Sequence, residues 1–362
     1  METGSENLKE EYHGYVFRKI LFIVLCIIAI IVTAAYGCTL GGREISFVDV
    51  YKVIFNHIGG ATYEQGSSEW WDDYIIWEIR LPRIVMAIVA GCGLSIGGIA
   101  MQSMLNNPLA DPYTTGISSG VCFGAISAMV MGFTYSSILG QYGIVTNAFL
   151  FGLIPAAAII LLSRFVDASP ATMILAGIAI SYTFNSFNTL IMITSEAETL
   201  KSVYVWQIGT LSRASWNDLP TMLTVTIVGS AFVLLTTRQL NLLMLGEKSA
   251  ISLGLDAGTY RIVCLAILSV STAGIISYTG IIGFVGLVSP HIVRMLIGAD
   301  NRYLAPAAMA FGSALLMVAD IIGRIIVQPA ELPVGVILSF VGAPIFLYII
   351  MRQKKGYGGD LY

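Results

Sequence analysis

Apolar residues in this chain fall in ten long, nearly unbroken runs, at 20–36, 84–104, 116–131, 145–162, 172–193, 222–237, 262–278, 281–297, 304–321 and 334–351. Each run approaches the roughly 20 residues that a helix needs to cross a bilayer. Almost none carries a charge, as expected when one at mid-membrane costs roughly 2.5–3.5 kcal/mol. A closed barrel would instead alternate apolar and polar positions over about ten residues per strand. The pattern therefore predicts an all-α, polytopic membrane protein with about ten transmembrane helices. It divides into a polar N-terminal tail over 1–19, one membrane domain over 20–351 and a short basic tail over 352–362.

Composition agrees, with 56% hydrophobic and 11% charged residues and a mean hydropathy of +0.80. The net charge of -3 gives no basic signature for nucleic acid, so the bilayer is the first partner expected. The placement of the basic residues says more. With an even number of spans both termini share one side. That side then holds Lys9, Arg18, Lys19, Arg164, Arg238, Lys248, Arg261, Arg294, Arg302, Arg352, Lys354 and Lys355. The other side holds Arg43, Lys52, Arg80, Arg83, Lys201, Arg213 and Arg324. The positive-inside rule puts both termini in the cytoplasm.

The first run follows Arg18-Lys19 and ends near Tyr36-Gly37-Cys38, which resembles a cleaved lipoprotein signal. Tyr36 suits such a site poorly and nine more runs follow, so a retained first helix is expected. Five cysteines without CxxC spacing and three scattered histidines predict neither a disulfide framework nor a metal site. No cofactor is expected.

Between the runs, 38–77 and 194–219 are long outer segments. Trp70, Trp71 and Trp77 in the first, with Trp206 and Trp216 in the second, suit an interfacial aromatic belt. In the second run Gly91 and Ser95, and Gly93 and Gly97, lie four apart, a spacing that lets helices approach closely.

That run also carries the strongest motif. It opens with Arg80-Leu81-Pro82-Arg83 and closes on Asn106-Asn107-Pro108-Leu109-Ala110-Asp111-Pro112. Pro82 fits a first helical turn. Pro108 and Pro112 push the residues before them out of helical geometry, so the helix must break there. Two arginines at a helix N-terminus oppose the macrodipole, so something acidic must compensate. Glu78, Asp72, Asp73 or lipid headgroups inside the system, or carboxylates on a docking protein, would all serve. Arg324 sits at a helix C-terminus four residues after Asp320, where an internal pair is an equal alternative.

With Gly280-Ile281-Ile282-Gly283-Phe284-Val285-Gly286-Leu287-Val288-Ser289-Pro290-His291, Glu331-Leu332-Pro333-Val334-Gly335 and Gly342-Ala343-Pro344 added, the sequence resembles the FecCD-type ABC-importer permeases for iron chelates, haem and vitamin B12. The resemblance covers about 70–352. It implies two copies of a ten-helix permease on two ATP-binding-cassette ATPase subunits, loaded by an extracytoplasmic solute-binding protein, in the cytoplasmic (inner) membrane. It also implies that Arg80, Arg83 and Arg324 meet glutamates of that binding protein. The inner loop 238–259 resembles the family's coupling element, with Gly246, Glu247, Ala250, Leu253 and Gly254 as contacts to the ATPase. Asn107 and Leu109 match gate positions. The loop before the fifth run sits where the vitamin B12 importers have a second gate element, but it carries Pro170 and Ala171 where they have hydroxyl residues. Ser181, Asn185 and Asn188 share one face of the fifth run and either line the passage or join helices.

Glu247-Lys248-Ser249 lacks the GxxxxGK[ST] phosphate loop, so the chain is expected to be a transport subunit and not an enzyme, with ATP hydrolysis in a separate protein. An iron(III)–siderophore complex is the favoured cargo, with vitamin B12, haem and molybdate as alternatives. An ion-gradient transporter would show acids at mid-membrane, where only Asp320 comes near, and an intramembrane enzyme would show a nucleophile with its base.

Overall fold

An apolar helix occupies the place of each of the ten predicted runs in the computed structural model, which describes residues 2–133, 142–327 and 330–356. In chain order the helices are α1 (Glu2–Gly37), α2 (Phe47–Ile58), α3 (Ser68–Tyr74), a π-helix over Ile75–Arg80, α4 (Leu81–Met104), a 3₁₀ turn over Pro112–Thr115, α5 (Ile117–Met131), α6 (Gly143–Leu162), α7 (Pro170–Ile193), α8 (Ala197–Ile208), α9 (Leu219–Leu235), α10 (Thr237–Met244), α11 (Glu247–Ser252), α12 (Ala257–Thr279), α13 (Val285–Ile297), α14 (Asn301–Ile325) and α15 (Val334–Gly356). No strand occurs among the described residues.

Length separates these helices. Among the described residues, six are long and apolar enough to cross a membrane alone, and α9 with α10, bent by 60°, makes up to a seventh. Helices α5, α13 and the apolar part of α15 are shorter. The eighth run illustrates why. It was expected over 281–297, but α13 begins only at Val285, because Gly280 (φ 70°) and Phe284 (φ 68°) are left-handed. The irregular backbone between them lies inside protein. Tyr113 Oη donates to the Ile282 carbonyl at 2.8 Å, and the flanking main chain is paired as well, Thr210 donating to the Thr279 carbonyl at 2.8 Å and Gly335 to the Gly209 carbonyl at 3.3 Å. A side chain at Gly335 would stand 1.8 Å from the Ile208 carbonyl. Non-helical backbone at membrane depth survives only where protein or water satisfies it in this way.

The polar segments are more ordered than their composition suggests. Residues 2–19, expected as a polar tail, are helical and belong to α1. Lys19 is almost fully buried, its ammonium 4.0 Å from the Tyr15 ring centroid and 4.6 Å from that of Tyr303, so cation–π contact replaces water. Segment 38–77 folds into α2 and α3, each opened by a serine N-cap (Ser46, Ser67). Of the basic C-terminal tail, 357–362 lie outside the described residues.

Helix α4 forms the axis. It continues α3 and the π-helix as one rod, and 83% of the rod's most apolar window is buried, against 11% for α1 and α7. The small residues of α4 make that possible. An added Cβ at Gly91 would lie 2.5 Å from the Gly312 carbonyl of α14, and one at Gly98 would lie 1.7 Å from the Gly286 carbonyl of α13. The glycine stripe therefore serves packing within this one bundle. The 24 residues of α4 span about 36 Å, so its two ends lie on opposite faces of a membrane.

Candidate functional site

At the N-terminal end of α4 the arginines gather. Arg43, Arg80, Arg83 and Arg324 line one cavity of about 190 Å³, with Glu331 and the Gly41–Gly42 turn. Arg80, Arg83 and Arg324 are each at most 5% exposed. Arg83 Nε donates to both oxygens of Asp320 at 3.0 Å, and its Nη1 donates to Glu331 Oε2 at 2.7 Å. Asp320 also faces Arg324 Nε at 3.3 Å, one helical turn along α14. Arg324 Nη1 donates to the Gly37 carbonyl at 3.2 Å. Arg80 is held by main chain, donating to the Cys38 carbonyl at 2.5 Å and to that of Arg43.

The compensation demanded by the sequence is thus largely internal, but its source is distant. Asp320 and Glu331 neutralise Arg83, not Glu78, Asp72 or Asp73. Asp72 instead pairs with Arg43 at 2.7 Å. The Asp320–Arg324 alternative is realised. Arg43 and Glu331, whose side chains are 41% and 44% exposed, are the outward members of this cup. Neither was selected from the sequence.

At the other end α4 stops at Met104, and Asn106 takes φ 46°. Asn107 Oδ1 accepts from the Leu109 amide at 2.9 Å, an Asx turn that leaves Leu109 half-exposed. Asp111 caps the following 3₁₀ turn, accepting from Tyr113 and Thr114 amides at 3.1 and 3.0 Å. Burial pushes its carboxyl up to about 6, although these amides favour the charged form.

The loop over 238–259 folds as α10 and α11. The expected short helix is present over Glu247–Ser252, entered through Gly246 (φ 96°) and closed by Gly254 (φ 87°). Its faces divide sharply. Ala250 is fully buried in the bundle's core, whereas Ile251 on the helix is 58% exposed and Leu245 and Leu253 flanking it are 63% and 61% exposed. Leu245 and Ile251 escaped the sequence reading. Three exposed large aliphatics on one short polar loop would have been the signal.

Ser181, Asn185 and Asn188 do come together. They line a cavity of about 460 Å³ with Ser118, Ser119, Cys122 and Gln207. Asn188 is buried and donates to the Ser119 carbonyl at 3.4 Å, while Asn185 is exposed. Ser181 returns its hydroxyl proton to the Gly177 carbonyl. Among the described residues, no charged side chain lines this cavity.

A helical membrane bundle with an arginine cup at one end of its axial helix and a short exposed helix at the other has the form of a transporter's membrane subunit. The model of the FecCD transport family matches residues 22–352, and the chain belongs to that family. It is 35% identical to the hemin transport system permease protein HmuU of Yersinia pestis over 94% of this chain and 98% of that one. It is 38% identical to the cobalamin import system permease protein BtuC of Halobacterium salinarum over 77% of this chain and 74% of that one. Among solved structures, a metal-chelate type ABC transporter in an inward-facing conformation matches with TM-score 0.79 and 28% identity, covering 91% of this chain and 98% of that one. The chain is accordingly an ABC-transporter permease subunit and a multi-pass inner-membrane protein.

Proposed function

We propose that this chain forms, with a second copy of itself, the conduit of a binding-protein-dependent importer for a metal chelate, an iron(III)–siderophore complex being the favoured cargo. The single observation that carries this reading is the division of α4. Its outer end bears the four-arginine cup, and its inner end meets the loop bearing α11. A carboxylate on the binding protein would enter the cup, where Glu331 already sets a carboxylate against Arg83. Arg80, held by carbonyls and not by an acid, retains charge for such a guest. The aliphatic face of Leu245, Ile251 and Leu253 would seat on the ATPase subunits, with Gly246 and Gly254 as its hinges.

Cargo chemistry follows from the lining of Ser181, Asn185, Asn188 and Gln207. Neutral amides and hydroxyls suit a chelate whose metal charge is already masked by its ligand. They give no cation for an oxyanion such as molybdate. Relatives nonetheless include the molybdate import permease MolB of Haemophilus influenzae, 29% identical over 94% of this chain. They also include the iron(3+)-hydroxamate permease FhuB of Bacillus subtilis, 30% identical over 98% of it. The test is uptake of radioactive iron–hydroxamate into liposomes holding the chain, its ATPase and its binding protein, challenged with haem, vitamin B12 and molybdate. Uptake that needs ATP and both partners, and that only siderophores compete, is the expected result. Uptake by the chain alone would end the importer reading, and competition by molybdate only would end the cargo reading.

A further inference from the structure

We infer that Arg261 is the joint through which movement of α11 reaches both gate elements, an inference that rests on reading α11 as the ATPase-docking helix. Arg261 is the fifth residue of α12 and is 3% exposed. Its guanidinium points three N–H groups at three different elements. Nε donates to the Met104 carbonyl, the last residue of α4, at 3.1 Å. Nη1 donates to the Ala168 carbonyl, in the loop that opens α7, at 3.2 Å. Nη2 donates to Glu247 Oε2, at the start of α11, at 3.2 Å.

These three partners are what a transmission part would need. Met104 directly precedes the turn that carries Asn107 and Leu109. Ala168 precedes the Ser169 cap of α7, the helix whose Ser181, Asn185 and Asn188 line the polar cavity. Glu247 lies on the exposed side of the bundle, its side chain 46% exposed. The guanidinium is a planar fork with fixed donor directions, so a shift of one partner is felt by the other two and is not absorbed in a flexible stem.

The electrostatics point the same way. A buried cation needs a counter-charge or complete hydrogen bonding. Two of the three acceptors are neutral carbonyls, and the Met104 carbonyl is one of the unpaired acceptors at a helix C-terminus, where a cation is favoured. Glu247 alone supplies opposite charge, and it alone sits on the element that the ATPase would move. Withdrawing Glu247 leaves Arg261 charged in the core beside the two gate elements, so α11 in and α11 out correspond to different preferred gate arrangements. A static clamp would be equally well made by a capping residue with no link to α11.

The test uses the complete transporter in liposomes, with binding protein, ATPase and iron–hydroxamate. Glu247→Gln removes the counter-charge at an exposed position, and Arg261→Lys keeps the charge but removes the fork. Both should lower cargo moved per ATP hydrolysed by about tenfold, the scale of one charge-assisted hydrogen bond. The double variant should be no worse than Arg261→Lys alone, because both act on one joint. Spin labels at Leu109 and Phe165, both exposed, should change separation on nucleotide binding in the parent and stay fixed in Glu247→Gln.

A lowered melting temperature with an unchanged transport ratio and an unchanged label response would reduce Arg261 to a clamp and overturn the inference. Ile251→Asp, on the exposed face of α11, separates the two levels. If it abolishes coupled uptake while Glu247→Gln and Arg261→Lys leave the ratio intact, only the joint fails. If it too leaves uptake intact, the docking role of α11 falls and the joint falls with it.

Discussion

The cup arginines differ in what they can tolerate, and burial decides which. Arg83 lies buried between Asp320 and Glu331. Arg83→Gln would leave buried Asp320 facing Arg324 at 3.3 Å without its bidentate partner and would take the cation from Glu331, and breaking a buried pair from one side costs up to about 3–5 kcal/mol. Arg83→Gln should therefore lower the melting temperature sharply in detergent. Arg43→Glu, at a half-exposed position, should leave melting nearly unchanged and weaken association with the binding protein, read by titration on the reconstituted permease. A second residue-level prediction concerns Asp300, the N-cap of α14, outside the spans. Its hydrogen bonds from Arg302 hold its carboxyl down at about 2, below the ordinary 3.8. A depressed carboxylate stabilises the fold fully above its ordinary value, and that stability is lost as pH falls from there through about 2. Melting scans should show this acid slope in the parent and a shallower one in Asp300→Asn. Sequence reasoning identified the cup's arginines but not their partners, because Asp320 and Glu331 stand 237 and 248 positions from Arg83. Only a charge requirement, with no local signal, links residues so far apart. Arg261 was legible only as a charge marking the inner side. Its position directly before the apolar run 262–278 was the clue, since a cation drawn into the bundle there has to be paired.

At the scale of elements, the apolar runs were readable and the breaks within them were partly so. Pro108 and Pro112 announce the end of α4, and Gly254 the end of α11, because each fixes its backbone locally. The late start of α13 was not readable. Phe284 carries no sequence mark of a left-handed conformation (φ 68°), and its ring packs on Gly342 of α15, where an added Cβ would lie 2.7 Å from it, a contact 58 positions away in sequence. The short helix α11 shows the same limit. Its existence was legible, yet Ala250 points into the core while Ile251 and Leu253 face out, and six residues are too few for a periodicity to assign faces. Helix contact makes a sharper prediction. Gly98→Ala would drive a methyl into the Gly286 carbonyl, 1.7 Å from its ideal position, separating α4 from α13. Overpacking of this kind costs about 1–3 kcal/mol or more. Gly283, whose added Cβ would meet nothing within 4 Å, is the matched control. Thermal melting should fall clearly for Gly98→Ala and stay close to the parent for Gly283→Ala.

For the molecule as a whole, the exposed side of α7 decides whether one chain is enough. Only 11% of its most apolar window is buried, and its exposed positions include Thr183, Asn185, Ser186 and Thr189. The hydroxyls return their protons to carbonyls four residues earlier, Thr189 to Asn185 and Ser186 to Tyr182, both at 2.9 Å, so lipid would tolerate them. The amide of Asn185 has no such escape, and an unsatisfied polar group in hydrocarbon costs several kcal/mol. A lone chain in lipid would pay that cost continuously, whereas a passage closed by a second copy would keep Asn185 in water. A cysteine at Asn185 should therefore react with a charged, membrane-impermeant maleimide in intact liposomes. The same reagent should leave a cysteine at Ile154 unlabelled. Ile154 is also exposed, on α6, but only apolar Leu150, Phe151, Ala157 and Ala158 lie three and four positions to either side, so that face suits hydrocarbon. Equal protection at both positions would place α7 against lipid, and the paired-conduit architecture would have to be abandoned.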